Sequence, residues 1–375
     1  KNVFVIILES FSAEYVGALD KQFKKPSKSH FTPFLDSLIG KSYVFDGFAN
    51  GMTSIDGLTS ILLGVPRMFD SSYIVSAYAE NAVNSLASIL KKSGYTTLFF
   101  YGGRSNSCNF DSLRSKAQVD EYYCMYDYDG PSSDASGWGV YDGEFFQFVA
   151  RKVNGTKSPF LAVLFTLSSH HPYIYPQRLH GQFPKGSGPL QELIAYTDYS
   201  LEKFFETAEK MDWYKDTIFV LVADHTANAT QEYYKNSLGR YSIPLMFFDP
   251  NGELVGKSDE VAQQVDIMPS ILDLVGSEHV YFSFGNSLFD GDAPRFAVSH
   301  EGGISQVITK DFLCRFDGKE VTALYKRSDF LLEKNLVNDS TYSEKKLELM
   351  EFLKIFLQWY SCSILDNEME VMDGK

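Results

Sequence analysis

Three apolar runs limit what this chain can fold into: VFVIIL (3–8), FLAVLF (160–165) and IFVLVA (218–223). An uncharged run of this length reads as a strand buried on both faces. None approaches the ~18 residues that would cross a bilayer. Around them lie further strand-like stretches, 96–103 and 243–250, and stretches with helical spacing. The spacing predicts helices over 54–64, closed by Gly64 and Pro66, over 83–94 and 189–212, and over 259–276 despite an internal Pro269. Strands that alternate with helices build a mostly parallel sheet flanked by helices, an α/β fold. Such sheets bind ligands at the carboxyl ends of their strands.

The texture changes near residue 294. RFAVSHEGG, SQVITKDFLCRFDG and EVTALYKRSD read as a meander of short strands, followed by a helix over about 342–363. The expected division is a catalytic domain over 1–293 and a small α+β subdomain over 294–375 packed on it. Segments 104–135 and 172–188 are rich in Gly, Ser, Asp, Tyr or Pro and read as long loops. The formal net charge of −14 and the absence of a basic patch argue against nucleic acid as a partner. Of the four cysteines none forms a CxxC pair, which removes a zinc ribbon or thioredoxin-type site. Cys108 and Cys124 could pair in an exported protein; free buried thiols are the equal alternative, and the state of Cys314 and Cys362 is open. The chain enters a strand straight after Lys1 without a signal-peptide pattern. We read it as the soluble part of a longer protein.

Polar residues at the strand ends carry the chemistry. The first strand ends at Glu9, 217–224 ends on Asp224 and His225, and 159–171 ends at His170 and His171. Thr53 stands just before a helix. Parallel strands deliver such ends to one edge, where two carboxylates and an imidazole suit a divalent cation such as Mn, Mg or Zn. Each residue also has an ordinary alternative. Glu9 could be a turn former, Asp224–His225 a hydrogen-bonded pair, Thr53 the start of a capping box with Asp56, and the two histidines simple loop residues.

Taken in order, the blocks NVFVIILESFS, GMTSIDGLTSILLGVP, YGGRSNSCNFDSLR, TLSSHHPY, VLVADHT, VDIMPSILDLVG and LYKRSDFLLEKNLV resemble the lipoteichoic acid synthase-like phosphoglycerol transferases of the alkaline phosphatase/sulfatase superfamily. The resemblance implies that superfamily's central sheet. It implies one divalent metal, manganese before magnesium or zinc, held by Glu9, Thr53, Asp224 and His225. It makes Thr53 the nucleophile and His170 a contact to the substrate phosphate, with His171 as the alternative. It also implies a phospholipid headgroup donor, a glycan or lipid alcohol acceptor, an extracytoplasmic location (periplasm or cell surface), and membrane contact through a segment outside this sequence.

No Cys-x-Pro-x-Arg occurs, so a formylglycine sulfatase is disfavoured. The substrate-loop block lacks the Trp that the family carries there. Arg104 or Arg114 could supply its cation and Phe110 its apolar wall. Two other functions stay open at this point. One is a phosphate- or sulfate-ester hydrolase on the same scaffold. The other is a catalytically silent module binding glycans through its aromatic loops.

Overall fold

The three apolar runs form the middle of a sheet because only there is a strand covered on both faces. In the computed structural model, which describes residues 1–21, 31–105 and 110–371 (110 and 111 by their backbone alone), β1 (Asn2–Leu8) lies between β5 (Phe160–Phe165) and β6 (Thr217–Ala223). It runs parallel to both, and every residue of the three strands is buried. Beyond β5 come β3 (Thr96–Tyr101) and the edge strand β4 (Glu121–Tyr123), also parallel. Beyond β6 the order is β8 (Leu245–Phe248), β2 (Tyr43–Phe48) and β7 (Ser242–Ile243), joined by antiparallel pairs. β9 (Gly256–Gln263) pairs parallel with β2. The carboxyl ends of β1, β3, β5 and β6 therefore share one edge.

Helices fall into two groups. α1 (Pro33–Ile39) packs on α6 (Pro189–Ala208), which packs on α5 (Asp142–Asn154). α2 (Ser54–Leu63), α3 (Leu86–Lys92), α4 (Phe110–Ala117) and α8 (Ile267–Leu274) pack among themselves. The short α7 (Glu232–Lys235) starts beside Glu14, whose carboxylate accepts from the backbone N–H groups of Thr230 and Gln231. α2 ends where the sequence places its stop: Gly64 sits at φ +65°, a left-handed cap that glycine adopts without strain.

The C-terminal strands β10 (Ala297–Glu301), β11 (Ile304–Ile308), β12 (Phe312–Phe316) and β13 (Val321–Lys326) form a separate antiparallel meander, followed by α9 (Ser343–Leu365). Among the described residues, no helix is long and apolar enough to cross a membrane.

Two expectations change. The stretch 259–276 is not helical throughout, because its first residues belong to β9. Gly256–Glu260 alternates between half-buried and exposed positions, the period of a strand, and helix α8 begins only at Ile267. The loop expected over 104–135 contains α4 and β4. β4 is polar on its exposed side because it is an edge strand, which hides the apolar signal. Cys124 is buried and its thiol donates to Asp127 Oδ2 at 3.3 Å, whereas Cys108 lies outside the described residues.

Candidate active site at the carboxyl edge of the sheet

Glu9 and Asp224 each follow directly on the last residue of a buried strand, β1 and β6, so neighbouring parallel strands set them side by side. His225 is the next residue. One ligand atom from each of the three lies within 4.8 Å of the others. His225 Nε2 is 3.6 Å from Glu9 Oε1 and 3.4 Å from Asp224 Oδ2. Asp224 is fully buried and Glu9 is 2% exposed.

Backbone and side-chain donors fix the cluster. Ser10 adopts a left-handed conformation, φ +59°, which residues other than glycine seldom take. Its N–H donates to Asp224 Oδ1 at 2.8 Å and its hydroxyl to Glu9 Oε1 at 2.6 Å. The Glu9 N–H donates to Thr166 Oγ1, and the Ser169 hydroxyl donates to the Glu9 carbonyl. The end of β5 thus holds the end of β1. Gln264 Nε2 donates to the carbonyls of both Ala223 and Asp224. Gly57 lets α2 approach the same carbonyl, since a Cβ at position 57 would sit 2.1 Å from Asp224 O.

Burial and the neighbouring Glu9 charge push the Asp224 carboxyl up to about 8. Burial disfavours the imidazolium of His225, but the adjacent Asp224 and Glu9 carboxylates outweigh it and hold this histidine above its ordinary range.

These residues fit a divalent cation. Asp224 Oδ2 is buried with no hydrogen-bond partner, and among the described residues the only ion-pair partner of either carboxylate is His225. His225 Nδ1 lies 2.7 Å from the Thr226 carbonyl, so it carries the proton and leaves the Nε2 lone pair facing the carboxylates. That is the arrangement of a metal-ligating histidine.

Thr53 is the N-cap of α2, yet its side chain does not cap the helix. Its hydroxyl donates instead to Asp56 Oδ2 at 2.7 Å, and the hydroxyl beside the cluster is that of Ser54, 3.0 Å from Glu9 Oε2 and 3.4 Å from His225 Nε2. Arg67 NH1 bonds the same Asp56 oxygen at 3.2 Å, and the guanidinium is oriented by the carbonyls of Phe69 and Asp70.

His170 ends the β5 extension, one residue from Ser169. Its Nδ1 lies 2.6 Å from the His171 carbonyl and its ring stacks on Trp138 at 4.9 Å. His171 is exposed, 5.6 Å from the same indole. Arg104 follows β3 and donates to the Gly137 carbonyl. Arg114 is not brought to the cluster. Its guanidinium lies 4.9 Å from the ring of Tyr122 on β4, three strands and about 14 Å from β1. Phe110 opens α4, and its side chain lies outside the described residues.

Sequence reasoning passed over Ser10, Ser54, Gly57, Arg67, Trp138 and Gln264. A serine in a loop or a glycine in a helix carries no periodic signal. Only the TSIDG spacing, a helix start with an internal glycine, could have flagged Gly57. A cleft of about 850 Å³ lies elsewhere, lined by Lys21, Asp46, Lys310 and Arg327. Its charges are largely spent on one another: Lys21 and Arg327 pair with Asp46, and Lys310 with Glu260.

A family model described as Sulfatase matches residues 1–277. A lipoteichoic acid synthase of Staphylococcus aureus (strain bovine RF122 / ET3-1) is 28% identical over 341 residues, covering 83% of this chain and 50% of the relative. The chain thus spans about half the length of the curated relatives it matches. A solved structure of a protein in the alkaline phosphatase superfamily from Vibrio parahaemolyticus matches with a TM-score of 0.84 at 24% identity, over 99% of this chain and 89% of that one. The lipoteichoic acid synthase LtaP from Listeria monocytogenes matches with a TM-score of 0.78 at 18% identity, over 100% and 94%. Both structural likenesses establish the alkaline phosphatase/sulfatase fold.

Proposed function

The chain belongs to the sulfatase family, and from that premise we propose that it is a metal-dependent phosphotransferase acting through a phospho-threonine intermediate. It moves a phosphoglycerol-like headgroup from a membrane phospholipid to the hydroxyl of a surface glycan or lipid. The likeness to lipoteichoic acid synthase supports the donor and acceptor classes. The reaction belongs outside the cytoplasmic membrane, where such a donor and acceptor meet, with the enzyme anchored through sequence beyond this chain. The observation that carries the reading is the Glu9–Asp224–His225 cluster next to the hydroxyl-bearing start of α2.

Glu9, Asp224 and His225, with Thr53 as the fourth donor, would hold the cation. Manganese is favoured by the carboxylate-rich set, with magnesium or zinc as alternatives. When bound, the cation supplies charge neutralisation at the phosphoryl oxygens and makes the attacking hydroxyl more acidic. The protein's own residues do the rest. Thr53 Oγ1 forms a bond to phosphorus and the bond to the lipid alcohol breaks. Asp56 Oδ2 stands ready for the Thr53 proton. Protonated His170 gives its Nε2 proton to the departing alcohol oxygen. In the second half the acceptor hydroxyl attacks phosphorus, neutral His170 Nε2 takes its proton, and the phosphorus–Oγ1 bond breaks as Thr53 regains a proton from Asp56. The N–H groups at the start of α2 favour the anion throughout.

A hydrolase is the second reading, and the exposure of Thr53 favours it, because water can reach an ester formed there. Intact-mass spectrometry after incubation with phosphatidylglycerol and Mn²⁺, with peptide mapping, separates the outcomes. Glycerol phosphate on Thr53, absent from Thr53→Ala, is expected. An adduct on Ser54 moves the nucleophile by one residue. Donor cleavage that yields only free glycerol phosphate, with or without an acceptor alcohol, makes the enzyme a hydrolase.

A further inference from the structure

We infer that Trp138 is the positioning residue for His170. It holds the plane of the imidazole so that Nε2 is the atom presented to the reacting phosphate. The inference rests on the role proposed for His170.

The indole stands on a turn that the surrounding backbone leaves little freedom. Gly103 and Gly139 form an antiparallel bridge, and Val140 N–H donates to Gly102 O at 2.9 Å. Ser136 N–H donates to Gly139 O at 2.8 Å, and Trp138 N–H donates to the Ser136 hydroxyl at 3.1 Å. A Cβ on Gly139 would lie 2.4 Å from Leu167 Cδ2 and 2.5 Å from Gly102 O. The turn is therefore pressed against the end of β3 on one side and against Leu167, three residues before His170, on the other. Asp142, just beyond the turn, accepts from the N–H groups of Leu167 and Ser168. The segment carrying Trp138 and the segment carrying His170 are thus tied together at both levels, backbone and ring.

The rings lie nearly parallel, 12° apart, with centroids 4.9 Å apart. This stack fixes the plane of the imidazole. The bond from Nδ1–H to the His171 carbonyl fixes its rotation within that plane. Nε2 is the remaining atom, and it carries the lone pair in the neutral ring. A tryptophan that only filled space under the loop would not fix the plane of that ring.

The test is a double-mutant cycle with fluorescent phosphatidylglycerol and Mn²⁺, supported by NMR of the histidine ring protons. Trp138→Leu is expected to lower kcat about 10-fold with little change in KM. Trp138→Phe, which keeps a stacking face, is expected to restore most of it. In a His170→Ala background Trp138→Leu is expected to change nothing. An equal loss in both backgrounds overturns the inference, as does a Trp138→Leu enzyme with wild-type kcat. The ring protons of His170, identified by their loss in His170→Ala, are expected upfield in the wild type and shifted back in Trp138→Leu. Signals that do not move overturn the inference whatever the activity. Wild-type protein that leaves the lipid intact, or His170→Ala that matches it, sinks the proposed function instead, and the NMR result still decides whether Trp138 orders His170.

Discussion

At the residue scale, buried charge decides most of what this site can do. Asp56 is 1% exposed, accepts a hydrogen bond from the Thr53 hydroxyl and pairs with Arg67. Removing one partner of such a pair leaves the other charge uncompensated, at about 3–5 kcal/mol. Asp56→Ala should therefore unfold at markedly lower urea, with a loss near the low end of that range because Arg67 keeps two carbonyl partners. Asp224 and His225 set the pH behaviour. The raised Asp224 carboxyl keeps its proton in the metal-free fold up to about 8, whereas in the unfolded chain it loses it near the ordinary carboxylate value. Its effect is a stability that falls as pH rises from about 4 to about 8. His225 is held up, against burial, by the Asp224 and Glu9 carboxylates, so it shares one coupled titration with Asp224 and does not add a second. The stability its proton carries likewise disappears as pH rises through its folded value. Both signs agree: the metal-free site destabilises the fold with rising pH. A cation must displace the Asp224 proton, so Mn²⁺ should bind more tightly as pH rises toward 8 and release a proton below it. Calorimetry in two buffers of different ionisation enthalpy measures that proton, and the thermal upshift given by Mn²⁺ should grow between pH 6 and 8.

At the element scale, the approach of α2 to β6 brings the hydroxyls to the carboxylates. Gly57 makes it possible, since a methyl group there meets the Asp224 carbonyl. Gly57→Ala should push the helix away, cost about 1–3 kcal/mol of stability, and reduce Mn²⁺ affinity more than a distant mutation of equal stability cost. Titration of the variant by calorimetry checks both. A second support lies at the start of α5. Asp142 accepts from Leu167 N–H, Ser168 N–H and the Thr197 hydroxyl, all within 3.0 Å, and burial pushes it up to about 6. Asp142→Ala strands those donors. It should cost about 2–4 kcal/mol and free the segment leading to His170, visible as faster hydrogen exchange at Leu167 and Ser168.

At the scale of the whole molecule, the meander and α9 share a core with the large sheet. Val298, Leu313, Leu324, Phe356 and Tyr360 are buried in the same apolar cluster as β1 and β6. Phe69, just after α2, meets Tyr360 edge-on at 5.1 Å, and Asp70 bonds His300 of β10 at 3.2 Å. Unfolding should therefore be a single transition, with calorimetric and van't Hoff enthalpies in agreement, although a boundary at 293–294 is visible in the sequence texture. Two separate transitions would show that the meander and α9 unfold on their own. The alternating architecture and the strand-end residues Glu9, Asp224 and His225 were legible because each rests on a local pattern, and the family because the blocks follow one another in its order. An apolar run names its strand, and the next polar residue marks the edge where parallel neighbours end.

Local pattern alone decided the buried strands β1, β3, β5 and β6, the helix stop at Gly64, and which acids and histidines reach the carboxyl edge. Tertiary packing alone decided that Ser54 faces Glu9 while Thr53 turns to Asp56, that Arg67 steadies Asp56, that Trp138 lies on His170, and that Arg114 stays with Tyr122. The physical reason is distance along the chain. Periodicity is set by backbone geometry within a few residues. The direction of a hydroxyl, or the partner of a ring 32 positions away, is set by which surfaces exclude one another once the sheet has closed.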